Sequence, residues 1–121
     1  MTYKQVYQLV SGIEMAPGQT IPAAYYMFPA DDPSNPPPPP PFICYYYDSS
    51  NDVTADNANY QKVRPLTVEL YTNDKDFSLE QAVETALNAG GIVYSRTETY
   101  IDTEKMYMVT YESDIIITEE N

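Results

Sequence analysis

Leu66, Val68 and Leu70 alternate with Thr67, Glu69 and Tyr71, the two-residue period of a strand with one face on a core and the other facing water. After the polar break from Thr72 to Asp76, Leu79, Ala82, Val83, Ala86 and Leu87 follow the spacing that stacks side chains in one stripe of a helix. Ser78-Leu79-Glu80-Gln81 reads as a capping box: the Ser78 hydroxyl accepts from first-turn N–H groups, Gln81 reaches back, and Phe77 is the hydrophobic staple before it. Gly90 or Gly91 supplies the left-handed residue that closes the helix. A helix with a single apolar stripe, joined to a strand by a short loop, requires a sheet to receive that stripe.

The rest of the chain reads as that sheet and its decoration. Thr2 caps a short helix with Val6, Leu9, Val10 and Ile13 on one side, and Gly12 closes it. Gly18 and Pro22 mark a loop, Ala23 to Phe28 suits a short aromatic strand, and Pro29 ends it. Residues 30–41, ADDPSNPPPPPP, exclude helix and inner strand because proline donates no backbone hydrogen bond. The run Pro36, Pro37, Pro38, Pro39, Pro40, Pro41 is expected as extended polyproline II, roughly 19 Å long at about 3.1 Å per residue. It reads as a stiff connector between two strands of a hairpin whose tip touches a partner by shape. A ligand for an SH3- or WW-like groove fits less well, since such grooves favour a flanking Arg or Lys and the neighbours here are Asp31 and Asp32. Asp31, Asp32 and the six prolines are the first candidate interaction residues.

Phe42 to Tyr47 reads as an inner strand, and Pro65 is placed at the entry of the Leu66 strand. Ile92 to Ile101 and Lys105 to Thr118 form a hairpin around Asp102, Thr103 and Glu104. The run Ile115, Ile116, Ile117 is either a core strand covered on both faces or an edge that another subunit covers, and it is the second candidate contact. The expected fold is α+β, a mainly antiparallel sheet of about four to five strands with two helices packed on it. One domain spans residues 1–121, with 30–41 as a proline-rich hairpin loop.

Composition narrows the function classes. Eighteen acidic and six basic side chains give a formal charge of −12, which disfavours nucleic-acid phosphates as a target and suits a surface that lets DNA pass without sticking. Cys44 is the single cysteine, so neither an intrachain disulfide nor a cysteine metal cluster can form. Histidine is absent, which removes the usual general base and the commonest transition-metal ligand. The loop from Asp48 to Asn59 offers Asp48, Asp52 and Asp56, yet Val53 stands where a calcium loop turns on glycine and Asn59 where it closes with glutamate. Those three acids are instead candidates for an acidic bore or loop. Glu80 and Glu84 are read as solvated charges on the polar face of the second helix, and the 13 tyrosines as core and interface rings. No phosphate-binding or nucleophile motif occurs, so no catalytic, cofactor or metal residue is assigned, and the chain is expected not to be an enzyme. The start MTYKQVYQLV has no long apolar core and no segment nears a membrane span, so neither export nor insertion is expected.

The order of Pro41-Phe42-Ile43-Cys44-Tyr45, Ala55-Asp56-Asn57, Tyr60-Gln61-Lys62, Val68-Glu69-Leu70-Tyr71-Thr72, Lys75-Asp76 and the Glu80 helix resembles the tail-terminator (tail-completion) proteins of long-tailed phages and prophages of Gram-positive hosts. The similarity continues weakly into Tyr107 to Glu112, and the hexaproline insertion departs from the family pattern. The resemblance implies an α+β subunit that assembles as a six-membered ring on the last ring of the tail tube. Such a ring stops tube growth and offers a surface to the head-side neck proteins, with DNA passing through unbound. It implies as partners the chain itself, the major tail tube protein and a neck or connector protein, and as location the virion tail, assembled in the host cytoplasm. Members of such families can stay monomeric until the tube tip templates them. The alternative is an adaptor that presents its proline loop without forming a ring.

Overall fold

The computed structural model describes residues 1–29, 33–48, 53–54 and 60–118. Helix α1 (Tyr3–Ser11) starts at a reciprocal capping box: Thr2 Oγ1 accepts from Gln5 N at 3.1 Å while Gln5 Oε1 accepts from Thr2 N at 2.8 Å. Strands β1 (Glu14–Ala16) and β2 (Gln19–Thr20) form a small hairpin. They are followed by β3 (Ala23–Tyr25), β4 (Phe42–Tyr47), β5 (Val53–Thr54) and the long β6 (Tyr60–Thr72). Helix α2 (Phe77–Ala89), β7 (Ser95–Ile101) and β8 (Met106–Ile117) complete the chain.

The main sheet has the order β3-β4-β6-β8-β7, with β5 alongside β6. Every pairing in it is antiparallel except β3 with β4, which run parallel. The expected α+β architecture is therefore present, and one connection is corrected. The proline segment is a crossover between parallel neighbours, not the tip of a hairpin, because a parallel partner can begin only after the chain has returned to the starting end of the strand. Strand β3 is also shorter than the aromatic run. It stops at Tyr25 because Tyr26 takes φ 71° and Met27 N donates to Tyr25 O at 2.9 Å, a tight three-residue turn.

Pro65 lies inside β6, opposite Asp114 and not at a strand entry. It is tolerated there because β4 ends at its last pair, Tyr47 with Leu66, so no strand residue needs the missing N–H. The Pro65 carbonyl still accepts from Asp48 N at 2.9 Å.

Helix α2 is capped two residues earlier than the Ser78 reading places it. Asp76 Oδ1 accepts from Leu79 N at 3.0 Å, and Phe77 and Ser78 are already helical. At the other end Gly91 is the left-handed residue, φ 74°. Gly91 N donates to Asn88 O at 3.0 Å and Ile92 N to Leu87 O at 2.9 Å, with Leu87 and Ile92 both buried, the full pattern of a Schellman closure.

Both helices bury their stripes on one face of the sheet. Val6 and Val10 of α1 and Leu79, Val83 and Leu87 of α2 meet Ile43, Leu66, Val68, Leu70 and Val109 from the strands. The triple isoleucine alternates: Ile115 and Ile117 belong to this core while Ile116 is 49% exposed on the other side. It is thus covered on one face only, which corrects the reading of a core strand covered on both faces. Where β8 outruns β7, Met1 takes over its edge, with Met1 N donating to Ile116 O at 3.2 Å and Thr118 N to Met1 O at 2.8 Å.

Candidate interaction surfaces

Among the described residues the sheet face opposite the helices carries no helix. Glu69, on the central strand β6, stands at its middle: Oε2 accepts from the Tyr46 hydroxyl at 3.2 Å and Oε1 from the Tyr71 hydroxyl at 2.8 Å. The Tyr46 bond reaches across from β4 and the Tyr71 bond runs along β6, and together they fix the carboxylate over the sheet. Burial first, then the Glu69 charge and hydrogen bond, push the Tyr46 hydroxyl up to about 12. Burial and the same carboxylate raise Tyr71, and they push the Cys44 thiol beside it up to about 11. Cys44 is therefore an inert buried thiol and not a nucleophile.

Four of the described cations are engaged elsewhere. Arg64 turns to the helix side, where its Nε donates to the Tyr3 hydroxyl at 3.1 Å. Lys75 and Arg96 are held by glutamates at α2, and Lys105 by Asp102 in the β7–β8 turn at 3.2 Å. Among the described side chains the open face presents Glu69 and the exposed Glu112 and Asp114 but no Lys or Arg. An aromatic margin flanks it on the β4 side. Tyr26 lies 5.4 Å from Tyr46, Phe28 5.5 Å from Phe42, and Phe42 stacks on Tyr71 at 4.9 Å.

Strand β7 forms one edge of the sheet and is exposed from Ser95 to Tyr100. It is clamped to α2 through Glu80, which corrects the reading of that residue as a solvated charge. The Glu80 side chain is 4% exposed; Oε2 takes Lys75 Nζ at 2.6 Å and Oε1 takes Arg96. Arg96 also reaches Glu98 at 3.2 Å and Glu84 at 3.5 Å, and the Tyr111 hydroxyl donates to Glu84 at 2.8 Å. The hydrogen bond to Glu80 raises Arg96, and Lys75 holds Glu98 below the usual carboxylate range. Every carboxylate of this cluster has a partner, so it is built as a clamp. The signal for Glu80 was present: with Val83 and Leu87 it sits at i, i+3, i+7, inside the apolar stripe.

A third feature is a pocket of about 460 Å³ lined by Tyr3, Tyr25, Tyr45, Tyr47, Asp48 and Arg64. Tyr3 meets Tyr47 edge-on at 5.2 Å and Tyr25 meets Tyr45 at 5.3 Å. The Tyr47 hydroxyl is buried without a hydrogen-bond partner among the described residues, and burial raises both Tyr45 and Tyr47.

The residues singled out in the sequence are not gathered into one site. Pro36, Pro37 and Pro39 are exposed, while Pro38, Pro40 and Pro41 are partly covered as the chain enters β4. Asp48 is exposed at the opposite end of β4, where it accepts from Thr67 Oγ1 at 3.1 Å and borders the tyrosine pocket. Asp31, Asp32, Asp52 and Asp56 lie outside the described residues. Among the described residues no group of three or more His, Cys, Asp or Glu is placed to hold a metal ion, and no helix is long and apolar enough to cross a membrane. No model of a known protein family matches this chain, and no curated protein matches it either.

Proposed function

We propose that this chain is a structural subunit of a phage or prophage tail that assembles with copies of itself into a ring on the end of the tail tube. There it ends tube elongation and presents its other face to head-side neck proteins. The observation that carries this reading is the sheet itself, with both helices on one face and, among the described residues, an acidic face without Lys or Arg on the other. A surface of that kind repels phosphate and holds no counterion-releasing cation, which suits the wall of a channel through which DNA slides. Glu69, Glu112 and Asp114 supply the charge on the sheet, and Asp48 extends it at the strand end. Six copies at −12 each make a strongly acidic ring.

Edge strand β7 supports assembly by the same logic. An exposed edge is a template for a neighbour's strand, and edges that join head to tail close into a ring when the rotation permits. The mechanism is then geometric: one face copies the stacking surface of the tube and the other does not, so addition halts. Electron microscopy of phage particles made without this protein tests the proposal. Tails of uncontrolled length are expected, and tails of normal length overturn it.

A further inference from the structure

Two unused features of the molecule match each other chemically. The first is the segment Pro36–Pro39, which forms neither helix nor strand and is exposed at three of its four prolines. Prolines donate no backbone hydrogen bonds and a polyproline backbone makes none internally, so such a segment offers ring faces and free carbonyls. Surfaces that take it are grooves lined by aromatic rings. The second feature is such a surface: the pocket walled by Tyr3, Tyr25, Tyr45 and Tyr47.

Arg64 and Asp48 both line the pocket, so its wall sets a cation and a carboxylate beside the rings. The rings at the mouth are the accessible ones, with Tyr25 53% and Tyr3 44% exposed, and both lean on Tyr47. Beneath them the Tyr47 hydroxyl is buried without a hydrogen-bond partner among the described residues, a donor matched to a proline carbonyl.

The two features stand at opposite ends of one strand, which points to a segment from another molecule. The prolines enter β4 at Phe42, and the pocket lies at Tyr47, the far end of the same six-residue strand. That separation is roughly 17–20 Å along the strand, so the end of β4 that a chain's own prolines join is not the end that carries its pocket. Projection at one end and receptor at the other make a head-to-tail contact, the type that builds rings and filaments.

We propose that the tyrosine pocket of one copy of this chain receives the Pro36–Pro39 segment of the next. The inference deepens the ring reading and rests on it for the presence of a second copy, but its test does not require a ring. A fluorescent peptide of residues 30–41 is titrated into the full chain and followed by anisotropy. Saturable binding is expected, weakened about tenfold or more by Tyr25→Ala, and absent for a peptide with Gly and Ser at the four proline positions. Arg64→Gln serves as the second pocket variant, and circular dichroism of each confirms folding. Absence of saturation into the millimolar range, or equal binding by a folded pocket variant, overturns the proposal.

A mixing experiment checks the same contact between whole chains. A chain with Pro36–Pro39 replaced by Gly and Ser has only a working pocket, and a Tyr25→Ala chain has only working prolines. At concentrations where the wild type associates, each alone is expected to sediment as a monomer and the mixture as a dimer that grows no further. Proline-replaced chains that still form rings on tail tubes overturn this contact and leave the ring reading standing. Wild-type chains that bind the peptide but never assemble on tubes do the reverse.

Discussion

Glu80 and Arg96 meet across the seam between helix α2 and edge strand β7, one side chain 4% exposed and the other 37%. The asymmetry says which partner depends on the other: the guanidinium can be rescued by water, whereas the carboxylate has only Arg96 and Lys75. Arg96→Ala should therefore cost about 1–3 kcal/mol, because it leaves a buried charge short of a donor. Adding Glu80→Gln to it should cost less than the two single changes added together, by about 0.5–3 kcal/mol of coupling. Urea unfolding of the two single variants and the double variant measures this directly.

The same cluster sets how stability responds to acid. Lys75 first, with Arg96, depresses Glu98 below its ordinary 4.5, so Glu98 contributes stability above that pH and the contribution disappears as pH falls through the lowered value. The urea midpoint should drop on acidification below about pH 4.5, and Glu98→Gln should flatten the drop. Alkali acts through other groups. Tyr45, Tyr46, Tyr47, Tyr71 and Tyr111 are all raised above 10.0, chiefly by burial. Their contribution is complete below pH 10 and is lost as pH rises towards the folded-state values. Near-ultraviolet titration should find these five phenols resisting ionisation past pH 10.0 until the fold gives way.

The start of α2 separates two readings of one stretch of sequence. Asp76 makes the capping bond to Leu79 N, and Ser78 lies exposed inside the first turn. Asp76→Ala should destabilise by about 1 kcal/mol, while Ser78→Ala should change stability by less than about 0.5 kcal/mol. Thermal unfolding of the two variants tells them apart, and equal effects would restore Ser78 as the cap.

What could be read from the residues beforehand is what depends on local periodicity. Leu66, Val68 and Leu70 define the inward face of β6, and Leu79, Val83 and Leu87 the stripe of α2, because burial on one side imposes a period on the chain. Partner choice imposes none. Nothing in Ala23–Tyr25 distinguishes a parallel neighbour from an antiparallel one, so the crossover through the prolines was hidden. Glu80 was misread for a related reason: a carboxylate looks solvated until Arg96, brought in by a distant strand, is beside it. The tyrosine pocket likewise draws Tyr3, Tyr25, Tyr47 and Arg64 from four separate elements, and no spacing announces it.

Glu69 offers the sharpest chemical test of the open face. Its carboxylate accepts from both Tyr46 and Tyr71 and stands near Cys44, so one charge raises three groups that burial has already raised. Glu69→Gln keeps the shape and removes the charge. The Tyr46 hydroxyl should then ionise below its value of about 12, and the Cys44 thiol below about 11, yet neither should return to its ordinary value, because burial is the larger cause for both. Tyrosine titration and the pH dependence of thiol alkylation in the folded chain read the two shifts separately. A drop at Tyr46 without one at Cys44 would mean that the carboxylate acts through its hydrogen bond alone, whereas matching drops would establish it as the charge that governs this face of the sheet.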